Sequence, residues 1–154
     1  MEITCIENPP AQASKPIEDG VMAYGLSQVD GVAPRKWAFH ATEGGTLIGG
    51  ATGRIHFSQF YLDNLWVSTA HRSTGIGTRL HEAVVRYATA HDCKRILLNT
   101  LNRRAVDFYR RLGYRSLAVI EGYVDGFDLH YGFVESPIEP LTVMLNLAKV
   151  PTID

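Results

Sequence analysis

The segment Leu65-Trp66-Val67-Ser68-Thr69-Ala70-His71-Arg72-Ser73-Thr74-Gly75-Ile76-Gly77-Thr78 constrains this chain more than any other. It begins as an apolar strand, passes through a glycine-rich turn and opens a helix. The first backbone N–H groups of a helix have no intrahelical partner, and the helix dipole adds partial positive charge at the same end. Together they form an anion site, and a pyrophosphate suits it. Gly75 and Gly77 matter because a side chain at either would hold phosphates off the backbone, and Arg72 adds a full charge at the rim. The dinucleotide pattern G-x-G-x-x-G is incomplete, since position 80 is leucine. No Gly-Lys-Ser/Thr follows, so a triphosphate loop is absent as well. On these residues alone, a plain helix start with a flexible turn stays open.

The flanking sequence sets the turn in an α/β frame. Trp37 to Thr42, Leu47 to Phe57 and Tyr61 to Val67 read as three strands of an antiparallel meander, with a hairpin turn at Glu43-Gly44-Gly45. Gly49, Gly50 and Gly53 in the second strand signal a bulge or a close backbone approach. Gly75 to His91 carries apolar residues at helical spacing. Arg95 to Leu98 is a short strand, Asn102 to Leu112 a second helix ended by Gly113, and Arg115 to Glu121 another strand. Before the meander, Glu2 to Glu7 reads as a short strand and Ile17 to Val29 as an imperfect helix. At the end, either Leu141 to Val150 is the last strand and 122–140 a long loop, or Phe127 to Val134 is also a strand; the first reading is preferred. The order predicts an α/β fold built on a mixed sheet with helices on its faces.

Bulk properties exclude several classes. The 154 residues fit one domain spanning 1–154, and a net charge of -1 marks neither a nucleic-acid binder nor a membrane-surface protein. No window approaches the ~20 apolar residues of a membrane span, and no leader is evident, so the cytoplasm is expected. Cys5 and Cys93 are too few for a disulfide scaffold and read as reduced, buried thiols. The six histidines show no H-x-x-x-H pairing and no C-x-x-C occurs, so no metal is expected. Hydrolysis by a G-x-S-x-G serine has no support either.

Arg72-Ser73-Thr74-Gly75-Ile76-Gly77 resembles the acetyl-CoA signature R/Q-x-x-G-x-G/A of the GNAT superfamily of N-acetyltransferases. A second match follows: Asn102 to Tyr114 is similar to that superfamily's N-x-x-A-x-x-F-Y-x-x-x-G-F/Y segment. The resemblance covers 37–121 well and is poor beyond 122. It implies a mixed, twisted central sheet with helices on both faces, splayed near Leu65 to Val67. It implies acetyl-CoA as co-substrate and a small-molecule or peptide amine as acceptor, and it admits a homodimer.

The same resemblance implies roles for single residues. The backbone of Leu65, Trp66 and Val67 would hold the pantetheine arm and supply an oxyanion donor. The amides of Ser73, Thr74, Gly75, Ile76, Gly77 and Thr78, with Arg72, would take the pyrophosphate. Asn102 would contact the coenzyme while capping its helix, and Arg79, Arg103 or Arg104 could reach the adenosine phosphate. Tyr109 would serve as general acid to the departing thiolate; helical spacing alone makes it a core tyrosine. Asp63 is the candidate base, because simple alternation puts it on the face of Leu65 and Val67; an arginine-paired strand residue is the equal alternative. His56 and Glu82 are lesser candidates. Residues of 122–140, with Tyr123, Asp125, Phe127, Asp128, His130, Tyr131 and Phe133, would help to build an acceptor site, or else cover a sheet edge. The rival function is a non-catalytic coenzyme-A-binding sensor, which would keep the glycine turn and lose the acid.

Overall fold

Between Arg35 and Val67 the chain makes the meander its pattern foretells: β1 (Arg35–Glu43), β2 (Thr46–His56) and β3 (Gln59–Val67), each antiparallel to the next. The computed structural model describes residues 1–28 and 32–135. The β1–β2 turn places Gly44 and Gly45 at φ 54° and 81°, the left-handed pair that a primed two-residue hairpin requires. Glycine in β2 has a steric reason. A Cβ on Gly53 would collide with the Tyr61 carbonyl oxygen and the Trp37 ring. At the same place the β2–β3 register slips: Gly53 faces Leu62 while Thr52 faces Asn64, leaving Asp63 as the extra residue of a β-bulge.

Beyond β3 come α2 (Ile76–Ala90), β4 (Arg95–Thr100), α3 (Arg103–Arg111), β5 (Arg115–Val124) and β6 (Phe127–Glu135). The sheet order is β1-β2-β3-β4-β6-β5. β3 and β4 are parallel and pair only from Gln59 to Tyr61 with Arg95 to Leu97. Past those three pairs the strands part, so the second half of β3 has a free edge. α2 turns Leu80, Val84 and Ala88 inward. They meet a core in which Trp37 stacks on Phe60 at 4.4 Å and Tyr87 meets Phe60 edge-on.

The preferred reading of 122–140 as a loop is corrected here. Phe127–Glu135 is β6, inserted between β4 and β5 and paired with both. The turn that makes it possible is Asp125-Gly126, with Gly126 at φ 75°, a dipeptide that strongly favours hairpins. The expected strand Leu141 to Val150 lies outside the described residues.

Residues up to Ala33 form a separate unit. Its helix, α1 (Ala11–Gln28), starts six residues before the expected Ile17 and runs through Pro16. Proline removes one backbone donor, and Lys15 and Asp19, 2.7 Å apart, bridge that turn from outside. Residues 2–7 form no strand. Both cysteines are free; Cys93 is buried, whereas Cys5 is exposed, against expectation. Among the described residues, no helix is long and apolar enough to cross a membrane.

Candidate functional site

The parting of β3 from β4 opens a cleft of about 620 Å³. Leu65, Trp66 and Val67 form one wall; Asn102, Ala105, Phe108 and Tyr109 form the other. The turn into α2 closes one end with Arg72, Ser73, Gly75, Gly77 and Thr78.

That end is built as an anion cradle. Ser73 and Gly75 take φ of 63° and 88°, and the first helical hydrogen bond runs from the Arg79 N–H to the Gly75 carbonyl at 3.0 Å. The amides of Ile76, Gly77 and Thr78 therefore precede any intrahelical acceptor. Arg72 is anchored, its Nε donating to the Val67 carbonyl at 3.2 Å. An added Cβ at Gly77 would meet nothing nearer than the Phe108 ring, 3.7 Å away. Glycine is thus not demanded there by protein packing, and the missing side chain keeps open the space above the amides. Thr74 and Ile76 turn their side chains away: Thr74 Oγ1 donates to the His71 carbonyl at 2.6 Å, and Ile76 lies toward Gly49 in a groove between α2 and β1.

α3 and its N-cap carry Tyr109 and Asn102, two further expected site residues. Asn102 caps it, with Oδ1 accepting the Arg104 N–H at 2.9 Å, which satisfies one orphan donor of the helix. Tyr109 is buried on the inner side of α3 and reaches the cleft wall. Burial pushes its phenol up to about 12, because desolvation disfavours the phenolate. Its hydroxyl keeps its proton throughout the neutral range and can donate. Tyr109 also lines a smaller niche with Tyr114, His130 and Tyr131, so described residues of 122–140 come up to the same tyrosine.

Asp63 is elsewhere. Simple alternation fails because Asp63 is the bulge residue: Leu65 faces Ala51 and Val67 faces Gly49, on the buried side of β2. The Asp63 carboxylate instead takes Arg54 Nη1 at 2.5 and 2.6 Å, and that guanidinium lies 4.5 Å over the Tyr61 ring. Arg54 alternates with Ile55 and Gly53, so the pair projects to the opposite side of the sheet. His56 pairs with Gln59 at the far end of β3, roughly 26 Å from Val67 by strand rise. Glu82 and Arg79 line the groove beside β1, not the cleft. Arg104 does line the cleft, together with Arg111 and His71, which the sequence left unmarked. His71 is fixed by Ser68 Oγ at 2.7 Å from Nδ1 and by Glu43 at 3.3 Å from Nε2. Its place directly before Arg72 was the available signal.

The chain is similar to known acetyltransferases in sequence and in fold. The blasticidin-S acetyltransferase of Streptomyces morookaense is 35% identical over 89 residues, which are 57% of this chain and 65% of that protein's length. A crystal structure of an acetyltransferase from Bacillus cereus ATCC 14579 superposes with a TM-score of 0.76 at 26% identity, covering 86% of this chain and 97% of its own. A structure from Bacillus anthracis str. Ames in complex with acetyl coenzyme A shares the fold, with a TM-score of 0.60 at 20% identity over 67% of this chain and 64% of its own. Residues 4–114, well over half of the chain, match the Acetyltransferase (GNAT) family, and the chain belongs to it.

Proposed function

We propose that the protein is an N-acetyltransferase that holds acetyl-CoA in the β3–β4 cleft and passes the acetyl group directly to a primary amine. The observation that carries this reading is one cleft with an amide cradle at its closed end and a protonated, buried tyrosine in its wall. In this reading the cradle from Ser73 to Thr78 takes the pyrophosphate, with Arg72 and Arg104 adding charge at its rim. The free edge of β3 from Leu65 to Val67 receives the pantetheine arm and offers an N–H to the oxyanion. Asn102 borders the same cleft. The family match runs across both units of the chain, which supports treating 1–154 as a single acetyltransferase domain. A coenzyme thioester as donor favours the cytoplasm as the place of work.

The transfer balances without a covalent enzyme intermediate. The amine lone pair forms the C–N bond and the carbonyl electrons move to oxygen; their return breaks the C–S bond. The amine nitrogen releases one proton to solvent, and the departing sulfur takes one from solvent. The Tyr109 hydroxyl donates to the departing sulfur. A phenol near 12 is a weaker acid than a thiol near ~8.5. Its service is therefore a hydrogen bond to developing charge rather than full proton loss. A sensor reading would leave this donor without use.

The relative named for blasticidin S supports a small-molecule acceptor over a protein. For Asp63, the Arg54 ion pair favours the strand-pairing reading over the base. Asp63→Asn decides: an unaltered rate–pH profile assigns amine deprotonation to solvent or another group, and a flattened acidic limb restores Asp63 as the base. Acetyl-CoA consumption across a panel of small primary amines tests the activity itself. Acceptor-dependent release of free coenzyme A supports it, and coenzyme binding with no amine-dependent release across the panel favours the sensor.

A further inference from the structure

Among the described residues, one histidine is buried in the core, His81 on α2, 3% exposed. Its Nε2 lies 3.1 Å from the Tyr114 hydroxyl, itself buried. Burial holds His81 down to about 4 and raises the Tyr114 phenol, so a neutral imidazole and a protonated phenol share this hydrogen bond, with its direction set by the histidine tautomer. An apolar pair of similar volume would fill this space without a desolvation cost. Filling is therefore a poor account of these two residues.

Their connections suggest another. The Tyr114 N–H donates to the Tyr109 carbonyl at 3.0 Å, and the two rings are 5.2 Å apart. Gly113, at φ 86°, makes the turn that folds Tyr114 back against the end of α3. His81 lies four residues, about one turn, beyond Gly77 of the cradle. A continuous line thus runs from the cradle helix through His81 and Tyr114 to Tyr109, joining the two ends of the cleft's chemistry. We propose that His81 and Tyr114 are positioning residues, which fix the Tyr109 ring so that its hydroxyl meets the sulfur of a thioester seated in the cradle. This rests on the reading of Tyr109 as the donor to the leaving sulfur.

The test compares two acetyl donors, acetyl-CoA and an acetyl thioester of an acidic aryl thiol, whose departing sulfur needs little help. Tyr114→Phe keeps the ring and removes only the hydroxyl; His81→Phe is the second variant, and Tyr109→Phe runs beside them. With acetyl-CoA, Tyr114→Phe and His81→Phe are expected to lose between about tenfold and a hundredfold in kcat. The KM for acetyl-CoA should stay within about twofold. With the aryl thioester most of that loss should vanish, as it should for Tyr109→Phe. Loss of equal size with both donors, or no loss in Tyr114→Phe, would overturn the positioning role. If His81→Phe does not fold, Tyr114→Phe carries the decision. Full activity of Tyr109→Phe with acetyl-CoA would instead overturn the donor reading itself.

Discussion

Tyr109 joins an ordinary core position to a proposed chemical role. Spacing on α3 marks it as a helix-face aromatic, and the surrounding motif marks it as a donor; the structure gives it a buried ring and a place in the cleft wall. Replacing it with phenylalanine removes the proposed donor to developing charge, a change expected to cost about 10²- to 10³-fold in kcat. Coenzyme affinity, measured by titration, should be unchanged, because the cradle is untouched. His81 makes a separate prediction about stability. Its pKa falls from 6.5 to about 4 on folding, so between those values the unfolded chain binds a proton that the native chain does not. Stability contributed by the neutral imidazole is complete above 6.5 and is lost as pH falls toward 4, by roughly 3 kcal/mol in total. Denaturant melts of the wild type and His81→Phe from pH 7 to 4 should diverge in that window, the wild type losing more. Parallel losses would mean that His81 is protonated in the native state. The sequence carries a signal for its burial: His81 falls on the stripe of Leu80, Val84 and Ala88.

At the scale of elements, local chemistry was legible and departures from period were not. The meander, α2 and α3 follow from alternation, helical spacing and Gly113. The Asp125-Gly126 turn is equally legible, but the aromatic and acidic residues around it mask the alternation of a strand. Asp63 shows a real limit. A bulge inserts one residue and reverses every later assignment to a face, and nothing in Leu62-Asp63-Asn64 announces it. Gly53 marks the spot from the opposite strand. Its replacement by alanine drives a Cβ into the Tyr61 carbonyl and the Trp37 ring, and backbone cannot yield as a flexible side chain can. Gly53→Ala should therefore cost about 3 kcal/mol or more, read as a lowered denaturation midpoint. A midpoint within error of wild type would mean that β2 and β3 are farther apart than described.

For the whole molecule, the proposed function follows from where pairing stops. Three β3–β4 pairs hold the sheet together, and the rest of β3 is left free to wall a cleft between the start of α2 and the length of α3. No residue pattern encodes that parting, and it became an expectation only through the paired glycine and Asn–Phe–Tyr motifs. The acceptor is less legible still, because the segment expected to shape it folds in part as a sheet strand and in part lies beyond the described residues. The central claim is that the cleft is a coenzyme A site whose closed end grips the pyrophosphate. The measurement that tests it most directly is the melting temperature of the wild type and Gly77→Glu with acetyl-CoA, coenzyme A, NAD and ATP in parallel. A ligand at about 100 times its dissociation constant adds about 2.7 kcal/mol of stability. The predicted result is a rise in the wild type with the two coenzyme A species alone, absent in a folded Gly77→Glu whose introduced carboxylate occupies the cradle. A larger rise with NAD or ATP, or a coenzyme A response that survives in Gly77→Glu, would contradict it.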